Sequence, residues 1–301
     1  MYPVLQIEDN APDLPEQLGS KQKFWLHIGE QVYLFKIGRP GTGENWAEKV
    51  AAELCTLLGL PHAYYELAIW KHEKGVLSPA FVPRDGGLIM GNELLAEIHT
   101  DYPAHQIRRV RDYTLGRIQA LLSLDEIRLP LDWAPPDASI RSAFDVFIGY
   151  LLLDAWIANQ DRHHENWGMI NYQGCIHLAP SYDHAASLGQ NETDEARRER
   201  LATRDRGRHI SRYVQKARSA IYAKKTDTTP LATIDAFQFA ARKRPPAARY
   251  WLDRLHAITP GDCQGIFGQI PATEISETAA HFALTMLELN QSRLLHGELT
   301  S

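Results

Sequence analysis

Ile157-Ala-Asn-Gln-Asp-Arg-His-His-Glu-Asn-Trp-Gly-Met-Ile170, followed after a short interval by Leu178-Ala-Pro-Ser-Tyr-Asp183, is the stretch on which the reading of this chain turns. It reads as the end of a buried helix, a polar loop, a short apolar strand, a turn, a second strand and then an acid. Asp161 and Asn166 stand five positions apart. That spacing suits a loop in which a carboxylate receives a hydroxyl's proton while an amide oxygen holds a magnesium ion beside a transferring phosphoryl group. Asp183, beyond a hairpin, falls where a second metal-holding group belongs. Magnesium asks for only one or two carboxylates, because phosphates and waters complete its shell. Trp167-Gly-Met-Ile170, Asn171-Tyr-Gln-Gly174 and Cys175-Ile-His-Leu178 spell strand, turn and strand, which would return Asp183 to the side of Asn166. A capping role for Asp161 and Asn166 at a polar helix terminus leaves Asp183 unexplained.

Working outward, the segment from Ser139 to Ile157 is apolar on nearly every face and reads as a central buried helix. Residues from about 20 to 92 carry β signals around one helix. Lys23-Phe-Trp-Leu-His-Ile28 and Gln31-Val-Tyr-Leu-Phe-Lys-Ile37 form a hairpin turning at Gly29-Glu30. A helix from about Glu44 to Leu58 follows, with Val50, Leu54, Leu57 and Leu58 at helical spacing and Gly59 as its stop. Pro61 to Trp70 and Gly75 to Val82 read as two more strands, and Arg84-Asp-Gly-Gly87 as a turn. Beyond residue 93 helices are expected over 107–123, 140–158, 230–242, 245–258 and 273–296. The mixed-charge run 190–208 reads as a mobile surface loop. The expected fold is α+β with two lobes, a small β-rich lobe over 1–92 and a larger, mostly helical lobe over 93–301.

Phosphoryl transfer leaves a protein little covalent work; it must neutralise phosphate charge and align the attacking oxygen. Lys36 ends an apolar strand and Glu48 lies in the next helix, as a phosphate-gripping lysine and its orienting glutamate would. Glu44 and Glu53 compete with Glu48 for that place. Gly19-Ser20-Lys-Gln-Lys23 precedes the first strand and could cover nucleotide phosphates through backbone amides, Ser20 and Lys23, although it has neither GxGxxG nor Walker spacing. His163 is assigned to the catalytic loop as a brace. His164, His177 and His184 read as hydrogen-bonded fillers. A metallohydrolase built from these histidines is the competing reading, but no HxH or HxxxH spacing supports it.

At 301 residues, 44% hydrophobic and 23% charged, the chain has the composition of a globular protein of one large domain or two lobes. Cys55, Cys175 and Cys263 are far apart and odd in number, which suits reduced thiols of a cytoplasmic protein. The N-terminus shows no basic region followed by an apolar run, so no signal peptide is expected. Asp145 and Asp154 interrupt the longest apolar run, so no membrane span is expected either. A net charge of −5 argues against a chain built chiefly for nucleic acid.

Asp161-Arg-His163-His-Glu-Asn166 and Ala179-Pro-Ser-Tyr-Asp183 together resemble the catalytic segment of HipA-like serine/threonine kinases, bacterial kinases distantly similar to phosphatidylinositol kinases. Phe35-Lys36 in a strand, Glu48 in the next helix and Gly59-Leu-Pro61 extend the likeness over about residues 19–260. The resemblance implies ATP and Mg²⁺, with Asp161 as base, Asn166 and Asp183 at the metals and Lys36 at the phosphates. It also implies autophosphorylation of a serine near the Gly-rich segment, for which Ser20 is the best-placed residue. Because the chain starts almost at that segment, the extra N-terminal subdomain of full-length HipA toxins is expected to be missing. An antitoxin or other regulatory partner, and the protein substrate itself, stay open. The alternatives are a small-molecule or lipid head-group kinase of the same fold and a nucleotide-binding pseudokinase.

Overall fold

The computed structural model describes residues 1–9, 14–15 and 22–297; Ser20 lies outside the described residues. The N-terminal part holds β1 (Val4–Ile7), β2 (Leu14–Pro15), β3 (Lys23–Ile28), β4 (Gln31–Ile37), α1 (Glu44–Leu58), β5 (Glu66–Trp70) and β6 (Glu73–Pro79). Its sheet runs β1-β5-β6-β4-β3-β2, with β1 parallel to β5 and the other pairs antiparallel. The β3–β4 turn falls at Gly29-Glu30, where Gly29 takes the left-handed φ of 62° that a two-residue hairpin asks for. Alternation then puts Phe24, Leu26 and Phe35 into one buried cluster, with the Phe24 ring edge-on to Trp70 at 4.9 Å. In the same register Lys23 stands directly opposite Lys36.

The remainder comprises β7 (Gly87–Met90), α2 (Gly91–Ile98), α3 (Leu115–Leu122), β8 (Ile127–Arg128), α4 (Ala143–Trp156), β9 (Gly168–Tyr172), β10 (Cys175–Leu178), α5 (Asp194–Ala202), α6 (Ile210–Tyr213), α7 (Thr233–Ala241), α8 (Pro245–Ala257), α9 (Pro260–Gln269) and α10 (Glu277–His296). A second sheet runs β7-β9-β10-β8. Every residue of α4 is buried, and α7, α8 and α10 pack around it. Ser142 and Asp145 form a capping box at its start. Its end passes through Ala158 at φ 54°, a left-handed exit that turns the chain into the polar loop. The β9–β10 turn is Gln173-Gly174, both at positive φ, so the expected hairpin forms with a two-residue connection.

Four expectations need correction. The 107–123 helix begins only at Leu115: Thr114 prefers to cap, accepting the Arg117 N–H, and Arg109 at φ 59° cannot belong to a right-handed helix. The 190–208 run is not a loop throughout, for α5 occupies its centre. Thr193 caps that helix, Asp194 and Glu195 complement its dipole, and the buried Arg197 donates to the carbonyls of Gly189 and Gln190. Pro61–Trp70 pairs as a strand only from Glu66, with an isolated bridge from His62 to Ser181. Helix α9 was not expected, because Gly261, Gly265 and Gly268 dilute its apolar period. Its Thr259–Asp262 capping box and Pro260 at the first turn start it nonetheless. Among the described residues no helix is long and apolar enough to cross a membrane.

Candidate active site

The loop after α4 is built on a buried ion pair. Arg162 is fully buried and forks onto Asp154 of α4, with Nε to Oδ2 and Nη2 to Oδ1 both 2.8 Å. The same guanidinium donates to the Asn166 carbonyl at 2.8 Å and to Ser181 Oγ at 3.1 Å. Burial works against its charge, and the Asp154 carboxylate more than offsets that, holding the guanidinium firmly protonated. One side chain thus ties the Asn166 end of the loop to the segment leading to Asp183. Asn159 Nδ2 donates to Asp154 at 2.8 Å and its Oδ1 receives the Asp161 N–H at 3.1 Å, which sets the backbone at Asp161. Asn166 Nδ2 donates to the Asp161 carbonyl at 2.7 Å. That bond commits the amide nitrogen and leaves Oδ1 as the atom able to meet a cation.

Asp161 turns its carboxylate outward, with 54% of the side chain exposed, and His163 Nε2 lies 3.8 Å away. His163 Nδ1 accepts the Glu165 N–H at 3.2 Å, so the ring is held from its far side. Asp183 sits at φ 59°, with its N–H donating to the Tyr65 hydroxyl at 3.2 Å. Its carboxylate is 3.7 Å from Lys36 Nζ, which also lies 3.5 Å from the Tyr65 hydroxyl. Burial pulls the Lys36 pKa down, but Asp183, Tyr65 and Glu48 together raise it above its ordinary value. Glu44 pairs with Arg39 and Glu53 with Lys49, whereas Glu48 reaches the segment after Asp183. It accepts the His184 N–H at 2.6 Å, with His184 Nδ1 3.4 Å away. Desolvation would push the Glu48 carboxyl up, yet Lys36 and the His184 contacts hold it below the usual carboxylate range. Beside Asp161 a cavity of about 260 Å³ opens, lined among others by Arg108, Arg109, Gln160, Asp161 and His163.

The solved structure of the Helicobacter pylori proinflammatory kinase CtkA matches 97% of this chain and 96% of its own, with a TM-score of 0.71 and 17% identity. HipA in the Shewanella oneidensis MR-1 toxin–antitoxin complex of HipA, HipB and operator DNA matches with a TM-score of 0.59 and 12% identity, over 93% of this chain and 65% of that one. This chain has the HipA-like kinase fold. At these identities the likeness is one of fold, and it bears out the expected α+β class with its two lobes. No family model matches the sequence, and no curated protein does.

Within the HipA-like kinase fold, sequence reasoning missed Tyr65, whose hydroxyl accepts from both Lys36 Nζ and the Asp183 N–H. Its only signal was a place at the end of a Pro-led apolar run. The structural work of Arg162 is likewise not evident from its place in the motif. The visible hint was an arginine eight residues after an aspartate in an otherwise apolar helix. The histidines have separate tasks. His177 Nδ1 meets the Leu129 carbonyl at 2.9 Å and His184 Nε2 meets Ser181 Oγ at 2.7 Å. His164 Nδ1 lies 2.7 Å from the Tyr102 hydroxyl, and its ring is nearly perpendicular to that of His163. Among the described residues no three His, Cys, Asp or Glu side chains gather as a metal-holding group.

Burial first, and the neighbouring His163 second, push the His164 pKa from 6.5 down to about 4. Above pH 6.5 the ring is neutral folded or unfolded. Between 6.5 and about 4 the unfolded chain takes up a proton that the folded chain refuses, so stability falls as pH drops and the loss is complete below that window. Thermal unfolding of the wild type is expected to decline more steeply through this window than that of His164→Gln, which keeps a partner for Tyr102 but does not titrate. Parallel curves would show that His164 is not responsible.

Proposed function

We propose that this chain is an ATP-dependent phosphotransferase, a protein serine/threonine kinase in which Asp161 takes the proton of the attacking hydroxyl. The observation that carries the reading is the meeting of Lys36, from the N-terminal sheet, with Asp183, from beyond the β9–β10 hairpin, at 3.7 Å. The Arg162 fork ties the Asp161–Asn166 loop to the same hairpin's exit. The attacking oxygen bonds to the γ-phosphorus, ADP leaves, and the hydroxyl proton passes to the Asp161 carboxylate, which His163 braces. Lys36, kept protonated by its acidic neighbours, grips the phosphates. Lys23, directly across the strand pair, offers a second cation on that face.

The donor set fits Mg²⁺: Asn166 Oδ1 and the Asp183 carboxylate are hard oxygens, and the amide nitrogen is already committed. When bound, magnesium would neutralise charge on the phosphates. Glu48 steadies the Asp183–His184 backbone and lends its field to Lys36. The half-buried apolar side chains Phe81, Val82 and Leu88, packed against the cluster that holds Val76 and Ile170, suit a purine ring. Residues 1–92 would grip the nucleotide and 93–301 would carry the catalytic loop. The presence of HipB beside HipA makes a regulatory protein partner part of the proposal.

The test is incubation with labelled ATP and Mg²⁺, with mass spectrometry of protein and small-molecule pools. Label on serine or threonine supports the reading, label on small molecules only moves it to a small-molecule kinase, and no transfer at all ends it. Lys36→Met keeps the apolar stem and loses the charge. A charge-assisted contact of about 1.5–3 kcal/mol predicts a fall in kcat/KM for ATP of roughly tenfold to a hundredfold, with folding retained. An unchanged kcat/KM would remove Lys36 from the site.

A further inference from the structure

The chain is net acidic, yet Arg108, Arg109 and Arg111 fall within four consecutive residues. Arg108 and Arg109 line the cavity beside Asp161, and Lys36, Asn166 and Asp183 do not. The cavity therefore adjoins Asp161 without including the groups assigned to the nucleotide. All three arginines are exposed, and among the described residues none of their guanidinium groups forms an ion pair. The one acid in the segment, Asp112, is already neutralised by Arg117 and Lys225, each at 2.8 Å.

The wall is held in shape. Arg109 stands at φ 59°, a conformation that non-glycine residues adopt only where surroundings enforce it. Gln106 Nε2 donates to the carbonyls of Arg108 at 2.8 Å and Arg109 at 3.5 Å. Val110 and Tyr113 are buried beneath, and the Tyr113 carbonyl receives the Tyr222 N–H at 2.9 Å. The wall therefore sets exposed guanidinium groups beside the Asp161 carboxylate. Arginine forks match carboxylates in two parallel hydrogen bonds.

Resting on the kinase reading above, we propose that the acceptor is a protein segment with acidic side chains flanking the phosphorylated hydroxyl, and that Arg108 and Arg109 read those acids. Three arginines spread along one irregular segment suit an extended acidic peptide better than a single small anion.

The test compares serine peptides flanked by Asp and Glu with the same peptides flanked by Ala and Gln, under saturating Mg-ATP. Wild type is expected to favour the acidic set by at least about tenfold in kcat/KM, since each tenfold corresponds to only ~1.4 kcal/mol. In Arg108→Ala/Arg109→Ala that ratio should collapse towards one, and in Arg108→Glu/Arg109→Glu it should fall below one. Melting temperatures of all three proteins check that the exposed substitutions leave the fold intact. Equal rates on both peptide sets, a ratio unmoved by the double variants, or transfer confined to small anions would overturn the acidic-acceptor proposal. If wild type transfers phosphate to no acceptor at all, the kinase reading falls with it; charge-blind transfer removes this inference only.

Discussion

Asp183→Asn is expected to lower phosphate transfer by about a thousandfold or more, since a metal ligand at a transferring phosphoryl group supplies several kcal/mol of transition-state stabilisation. Asn is the informative replacement. Asp183 sits at φ 59°, and Asn tolerates that left-handed conformation where Ala would add strain of about 1 kcal/mol. The Asp183 N–H can keep the Tyr65 hydroxyl, so the change removes the charge that faces Lys36 while the backbone contact stays. Asp161→Asn should cost about a hundredfold to ten-thousandfold, the range of general-base catalysis, by a different route. Its backbone carbonyl still anchors Asn166, and 54% of its side chain is exposed. A magnesium titration at fixed ATP separates the two. The Asp183 variant should need far more metal to approach its plateau, and the Asp161 variant should show the wild-type dependence on a lower plateau. Wild-type rates in both would exclude these groups from the chemistry.

What the sequence disclosed followed from where chemistry and periodicity coincide. The α4 helix was legible because an unbroken apolar run has one physical fate, burial on all sides. The β9–β10 hairpin was legible because alternation flanks a Gln-Gly turn; the roles of Asp161, Asn166 and Asp183 come from spacing and belong to the proposal above. Periodicity is silent about backbone in the left-handed region, so the irregular stretch around Arg109 passed for the start of a helix. It is equally silent about tertiary meetings. Nothing local tells Glu48 from Glu44 or Glu53; only the path of α1 past His184 separates them. Tyr65 looked like one more apolar strand residue until its hydroxyl was seen between Lys36 and Asp183. Helix α9 was hidden by its glycines, which weaken propensity while capping and packing still form the helix.

Arg162→Ala is expected to destabilise the chain by about 3–5 kcal/mol, a large part of the roughly 5–15 kcal/mol that holds a folded protein together. The substitution strands Asp154, with only 4% of its side chain exposed, without its fork. It also removes the donors to the Asn166 carbonyl and Ser181. Asp154→Ala should cost a similar amount for the converse reason, a buried guanidinium with no counter-charge. The double variant Asp154→Leu/Arg162→Met separates what the pair does for stability from what it does for geometry. With no orphaned charge and similar volume, it should be more stable than either single variant and approach the wild type in urea unfolding. Phosphate transfer should nonetheless stay low, because Met cannot tie Asn166 to Ser181 and the loop loses its register with Asp183. Recovery of both stability and transfer would mean that packing alone holds the loop. A loss below about 1 kcal/mol in either single variant would mean that water or a neighbour replaces the missing partner.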